Sequence, residues 1–236
     1  MRLSKILIPA VCLVLVACGD DDDDNMVVVP PVVTPPPVVE YEFMVTTVNL
    51  THAQPMSPIG SALHTSGNFW QIGEAASDAL ENLAESGDNS GLLGLDVVNT
   101  SSSSEGVLMP GQSVDLALTT ESLDEQKLSI ISMMVNTNDG FTGLNALDVS
   151  SMAVGDSQHY TTYAYDAGTE ANTEAAGTIP GPADGGEGFN SEREEMNKVA
   201  MHPGVVGQDD GLMMSVLTSQ HKFDNPLLAV TVTRVK

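Results

Sequence analysis

Lys127-Leu128-Ser129-Ile130-Ile131-Ser132-Met133-Met134-Val135-Asn136-Thr137 is the most apolar strand candidate in the chain. Its nearly continuous apolar run is the pattern of a central strand, with a helix as the formal alternative. Asn136 to Gly143 follows as a polar loop. Upstream, Gly111 to Thr120 sets Val114, Leu116 and Leu118 against Ser113, Asp115 and Ala117, which gives one buried face and one more exposed. Tyr41 to Leu50 is rich in β-branched and aromatic residues and reads as a strand. Tyr160 to Tyr165 reads as a further short strand, and Gly211 to Thr218 and Pro226 to Val235 read as two closing strands. Met133, Met134, Met213 and Met214 fit as strand core residues filling irregular gaps.

One helix stands out. Ala75, Ala76, Ala79, Leu80, Leu83 and Ala84 recur at helical spacing within Glu74 to Glu85, and Gly87 stops the run before a turn at Asp88-Asn89-Ser90-Gly91. His52 to Thr65 carries Pro55, Pro58 and Gly60 and reads as a loop. Asn68 to Ile72 reads as a short extended piece around Trp70, and Thr169 to Asn197 as a long acidic, glycine-rich connection. The expected fold class is all-β: an antiparallel β-sandwich with Greek-key links, one short helix and long loops at its rims. Function belongs most naturally on those loops.

The start of the chain has a separate logic. Arg2 and Lys5 precede an apolar stretch from Ile6 to Ala17, too short for a bilayer-spanning helix of roughly 20 residues. It closes as Leu15-Val16-Ala17-Cys18, which resembles the lipobox of bacterial lipoproteins. Residues 1–17 are therefore expected to be a signal peptide. Cys18 would be the lipidated residue, with more than one acyl chain for stable anchoring. Gly19 is no inner-membrane retention aspartate, which favours the outer membrane. Asp20 to Asp24 and the Val- and Pro-rich run from Met26 to Pro37 read as a solvated, extended spacer over residues 18–39, with the domain itself over 40–236.

Composition narrows the function classes. Eight Lys and Arg stand against 32 Asp and Glu, a formal net charge of −24. Such a surface repels phosphate backbones and anionic lipid, so nucleic acid is not an expected partner. Cys12 and Cys18 are the two cysteines, so the domain has no disulfide framework. No Gly-x-Ser-x-Gly elbow or phosphate-binding loop occurs. With aromatic residues at 4%, a long aromatic-lined sugar cleft is hard to build. The chain is not expected to be an enzyme, a hydrolase of envelope polymer being the least favoured alternative. The five histidines are dispersed and read as surface or loop residues, without zinc-ligand spacing.

Four segments carry a family resemblance over residues 40–236. They are Ser66-Gly67-Asn68-Phe69-Trp70; Leu80-Glu81-Asn82-Leu83-Ala84-Glu85-Ser86-Gly87-Asp88; Met134-Val135-Asn136-Thr137-Asn138-Asp139-Gly140-Phe141-Thr142-Gly143-Leu144; and Tyr163-Ala164-Tyr165-Asp166-Ala167-Gly168-Thr169-Glu170. In this order they resemble the spondin N-terminal domain family of matrix proteins and bacterial exported proteins. The resemblance implies a C2-like sandwich, a structural calcium ion in a loop region and a role in adhesion or matrix contact. It further implies that Asp139 and Asp166 are metal ligands, with Glu170 where animal members often have aspartate. Gly140 stands where the animal loop usually has tryptophan, and the animal disulfides are absent. The residue types agree with hard-cation chemistry, since calcium takes six to eight oxygen ligands. Gly140 is expected to turn the chain sharply and present a carbonyl, and Asp148 is a weaker additional acid. Trp70 is a possible contact residue for an extracellular or envelope protein or polysaccharide, with core or rim packing as its other role. A structural envelope lipoprotein without metal is the alternative function.

Overall fold

A computed structural model describes residues 39–193 and 197–236. The expected signal peptide, Cys18 and nearly all of the spacer lie outside the described residues. Strands β1 (Tyr41–Asn49), β2 (Gly60–His64), β3 (Val98–Ser103), β4 (Ser113–Thr120) and β5 (Lys127–Met133) are followed by β6 (Gly140–Asp148), β7 (Ser157–Thr161), β8 (Tyr163–Asp166), β9 (Ala200–Met201) and β10 (Leu228–Arg234). They form two antiparallel sheets, ordered β4-β1-β10-β7 and β3-β2-β5-β6-β8-β9. Helices α1 (Asp78–Ser86) and α2 (Ser90–Leu93) are joined by short 3-10 turns elsewhere. Among the described residues no helix is long and apolar enough to cross a membrane.

The six-stranded sheet is covered on both faces. Leu63, Leu128 and Ile130 join Phe43, Val45, Leu116, Leu118, Val230 and Val232 of the four-stranded sheet in one core. The alternate residues Ala62 and Ile131, with Phe141, pack instead against Leu80, Leu83 and Ala84 of α1 and against Trp70. Period-two side-chain alternation thus sends neighbours in β2 and β5 into different cores. That is why β5 reads as continuously apolar, and its antiparallel pairing with β2 and β6 excludes the helical alternative.

Helix α1 begins where Ser77 accepts a hydrogen bond from the Leu80 N–H at 3.2 Å, and ends at Gly87, whose φ of +79° is left-handed. It starts later than expected at Glu74, because the cap is Ser77. The turn expected over Asp88 to Gly91 runs into the single-turn α2, which begins at Ser90.

Several expectations need correction. His52 to Thr65 is not all loop: Gly60–His64 is a fully buried strand held between β3 and β5. Its short sequence shows no alternation because both faces are covered. Strand β3 is polar and gave no apolar signal. The loop expected to run to Gly143 ends at Asp139, because β6 starts at Gly140. The expected strand over Tyr160 to Tyr165 is two strands in different sheets, with the chain crossing at Thr162. Asn68 to Ile72 is bend and turn, not extended strand. Gly211 to Thr218 is no strand, and Met213 and Met214 are 75% and 76% exposed, not core, whereas Met133 and Met134 are buried. His64 is buried in β2, its ring bridging the Ser66 carbonyl at 2.9 Å and the Ser129 hydroxyl at 2.8 Å.

Truncating a fully buried side chain in the misread strand tests this assignment. Leu63→Ala is expected to destabilise the domain by about 2–5 kcal/mol in urea melts, the range for emptied core sites. Met213→Ala should stay within about 0.5 kcal/mol, as for exposed positions.

Candidate metal centre

Strand pairing brings the two acidic loops together. β6 and β8 are antiparallel partners with Gly140 opposite Asp166, and the Ala167 N–H donates to the Asp139 carbonyl at 3.1 Å. Asp139 therefore closes the loop before β6 while Asp166 ends β8, so that two residues 27 positions apart in sequence are neighbours in space. Two glycines make the approach possible. A Cβ on Gly140 would lie 2.4 Å from Thr137 Oγ1 and 2.6 Å from Met134 Cε. Gly168 has φ +69°, and a Cβ there would lie 2.3 Å from the Lys198 carbonyl oxygen. The Gly140 carbonyl accepts a hydrogen bond from the Met134 N–H at 2.8 Å.

Asp139 is wholly buried. Its Oδ2 accepts hydrogen bonds from the Thr169 N–H at 2.8 Å, the Glu170 N–H at 3.1 Å and the Thr169 hydroxyl at 3.3 Å. Its Oδ1 has no hydrogen-bond partner. Burial, and then the neighbouring Asp166 carboxylate, push the Asp139 carboxyl up to about 7 against the pull of those donors. Asp166 is 7% exposed; its Oδ1 accepts from the Gly168 N–H at 2.7 Å and its Oδ2 from the Asn172 amide. Glu170 is half-buried, joins the site through its backbone N–H, and lines an open cleft of about 400 Å³ with Asp166, Asn172 and Lys198.

Of the other sequence candidates, Asp148 is exposed at the opposite end of β6, roughly 27 Å of strand away. Trp70 is buried at 7% exposure, its ring 5.3 Å from both Phe141 and Tyr165, which leaves little indole surface for a partner.

Residues that sequence reasoning passed over surround the pair. Glu85 of α1 is 1% exposed; Oε2 accepts from the Asn190 N–H at 2.9 Å, while Oε1 has no hydrogen-bond partner. Burial raises its carboxyl above the usual range, with hydrogen bonds from Asn190 and Thr169 opposing. One turn earlier Glu81 is buried and paired with Arg193 at 2.5 Å. The available signal was the placement of Glu81 and Glu85 at i and i+4 beside the apolar stripe of α1. On the other side His202 accepts from the Gly204 N–H at Nδ1, which leaves a protonated Nε2 buried without an acceptor. Burial lowers its pKa while Asp166 and Glu174 oppose the shift.

The donor set suits a hard cation. Asp139 Oδ1 is a carboxylate oxygen without a partner, a second carboxylate repels it, and hydroxyl and amide groups stand beside both. No three His, Cys, Asp or Glu side chains among the described residues form a ready cage for an ion. No protein-family model matches the chain, and comparison with curated proteins finds no matching relative.

Because Asp139 has a raised folded pKa, its protonation stabilises the metal-free fold below the unfolded value of 3.8, and that contribution is lost as pH rises to about 7. Metal-free protein is therefore expected to lose stability relative to Asp139→Asn across this window, by on the order of a few kcal/mol. Paired urea melts at several pH values check this; a constant difference would show that Asp139 titrates normally.

Proposed function

We propose that this chain is a lipid-anchored, noncatalytic exported domain that binds calcium between its two acidic loops and contacts another macromolecule of the envelope or matrix. The observation that carries the calcium reading is the buried Asp139 carboxylate, with an unpartnered Oδ1 beside Asp166. Asp139 and Asp166 would hold the ion, with Glu170 at the cleft edge. Bound calcium supplies positive charge that offsets the repulsion between the two carboxylates. It would pin the loop before β6 to the loop after β8, and so stiffen one rim of the sandwich. The resemblance to spondin N-terminal domains supports the same ligands and a C2-like form of the two sheets. The Cys18 lipobox and the spacer after it support anchoring by lipid, and the absence of an inner-membrane retention aspartate at Gly19 supports the outer membrane.

A second reading has an observation of its own. Both Asp166 oxygens and Asp139 Oδ2 already accept hydrogen bonds. A protonated Asp139 needs no cation, and the chain would then be a structural envelope lipoprotein without metal.

Calorimetric titration of calcium into metal-stripped protein separates the two. Saturable binding is expected, abolished in Asp139→Asn and in Asp166→Asn, with Asp166→Asn loosening the loops more than it lowers core stability. No heat at millimolar calcium, the weak end of extracellular calcium modules, would leave the metal-free reading.

A further inference from the structure

The loop after β9 inverts the usual placement of apolar side chains. Met213 and Met214 are adjacent and 75% and 76% exposed, whereas Met56, Met133, Met134 and Met152 are at most 2% exposed. Met109 and Met201 are intermediate at 51% and 45%. The loop is tied down on both sides of the pair. Glu174 accepts hydrogen bonds from the Val206 N–H at 2.7 Å, the Gly207 N–H at 2.9 Å and the Ser215 hydroxyl at 2.6 Å. The Val216 N–H donates to the Glu174 carbonyl and the Gln208 N–H to the Leu217 carbonyl, each at 2.8 Å. Asp209 caps the Ser219 N–H, Lys222 pairs with Asp210, and Leu217 is buried. The two thioethers are thus held in solvent by an ordered frame.

Exposure and thioether chemistry together define a reactive site. Methionine oxidation follows access of the oxidant to sulfur. Cys12 and Cys18 are the two cysteines, so no thiolate from residue 19 onward competes for it. The flanking Asp209 and Asp210 and the acidic chain disfavour anionic oxidants, which leaves neutral peroxides.

We propose that Met213 and Met214 form an oxidant-reactive modification site, converted to sulfoxides by hydrogen peroxide while the folded core stays unmodified. In each event the sulfur lone pair attacks one peroxide oxygen. A sulfur–oxygen bond forms and the oxygen–oxygen bond breaks. The proton of the transferred oxygen passes to the departing hydroxide, which leaves as water. Sulfur loses two electrons and the peroxide gains them. Two apolar side chains at the loop tip become polar ones, and thiol-dependent reductases specific for each sulfoxide epimer can reverse the change. The exposed apolar patch is thereby switched off without unfolding the domain.

The test treats the full-length protein with limiting hydrogen peroxide and follows each methionine by peptide mass spectrometry. Met213 and Met214 should each gain one oxygen severalfold faster than Met109 and Met201, with the buried methionines unmodified and the melting temperature unchanged. Retention on a hydrophobic column should fall in step, and the Met213→Leu/Met214→Leu variant should lose both the fast phase and the retention change. Equal rates at Met109, Met201, Met213 and Met214, the four exposed methionines among the described residues, or oxidation of the pair only at the rate of the buried ones, would overturn the proposal. Treatment in urea, where all sites should react alike, verifies that the fold sets the difference.

Discussion

Strand β5 has protein on both of its faces, and the rest of the arrangement follows from this. Leu128 and Ile130 need the four-stranded sheet, and Ile131 needs α1 and Trp70. Neither partner alone could cover alternating side chains that are apolar on both sides. With β5 fixed, β6 pairs along it, and Gly140 is drawn to the packed end where α1 and the long loops meet. Asp139 is buried because it stands immediately before that strand begins at Gly140.

Burial sets the electrostatic character of this end of the domain. Asp139, Glu85 and Glu81 each keep a buried oxygen without a hydrogen-bond partner, in a chain with four acidic residues for every basic one. Leaving a charged oxygen unpaired in a low-dielectric interior is costly. Arg193 relieves Glu81, the Thr169 hydroxyl donates to Asp139, and the Asn190 N–H donates to Glu85. What remains at Asp139 is resolved either by a proton or by a cation. The Met213–Met214 loop is the opposite departure, with apolar groups held outside by polar groups within, Glu174 foremost.

Much of the fold was legible where one face of a strand is wet. In β4 and β10 the alternation of apolar and polar residues matches burial closely, β1 was legible from its β-branched and aromatic residues, and α1 announced its apolar stripe and its stop at Gly87. Strand β2 was misread because Pro55 and Pro58 lie just before it and both its faces are buried. Strand β6 was misread because Gly140 and Gly143 look like loop residues, whereas here glycine permits close packing against Met134 and Ile130. Met213 and Met214 were misassigned to the core because apolar composition does not report which side of a loop meets solvent.

The same division holds for the candidate site. The sequence by itself determined the charge balance, much of the strand patterning and the stop of α1 at Gly87, because these are local properties of neighbouring residues, whereas Asp139 and Asp166 were singled out by the family resemblance. Only the tertiary structure decided that the two aspartates meet across the β6–β8 pair, that Asp139 Oδ1 is left without a hydrogen-bond partner, and that Glu85 stands close behind Thr169 while Asp148 is excluded. Proximity across sheets and depth of burial depend on strand register and layer packing, which bring together residues far apart in the chain and leave no local trace in the amino-acid order.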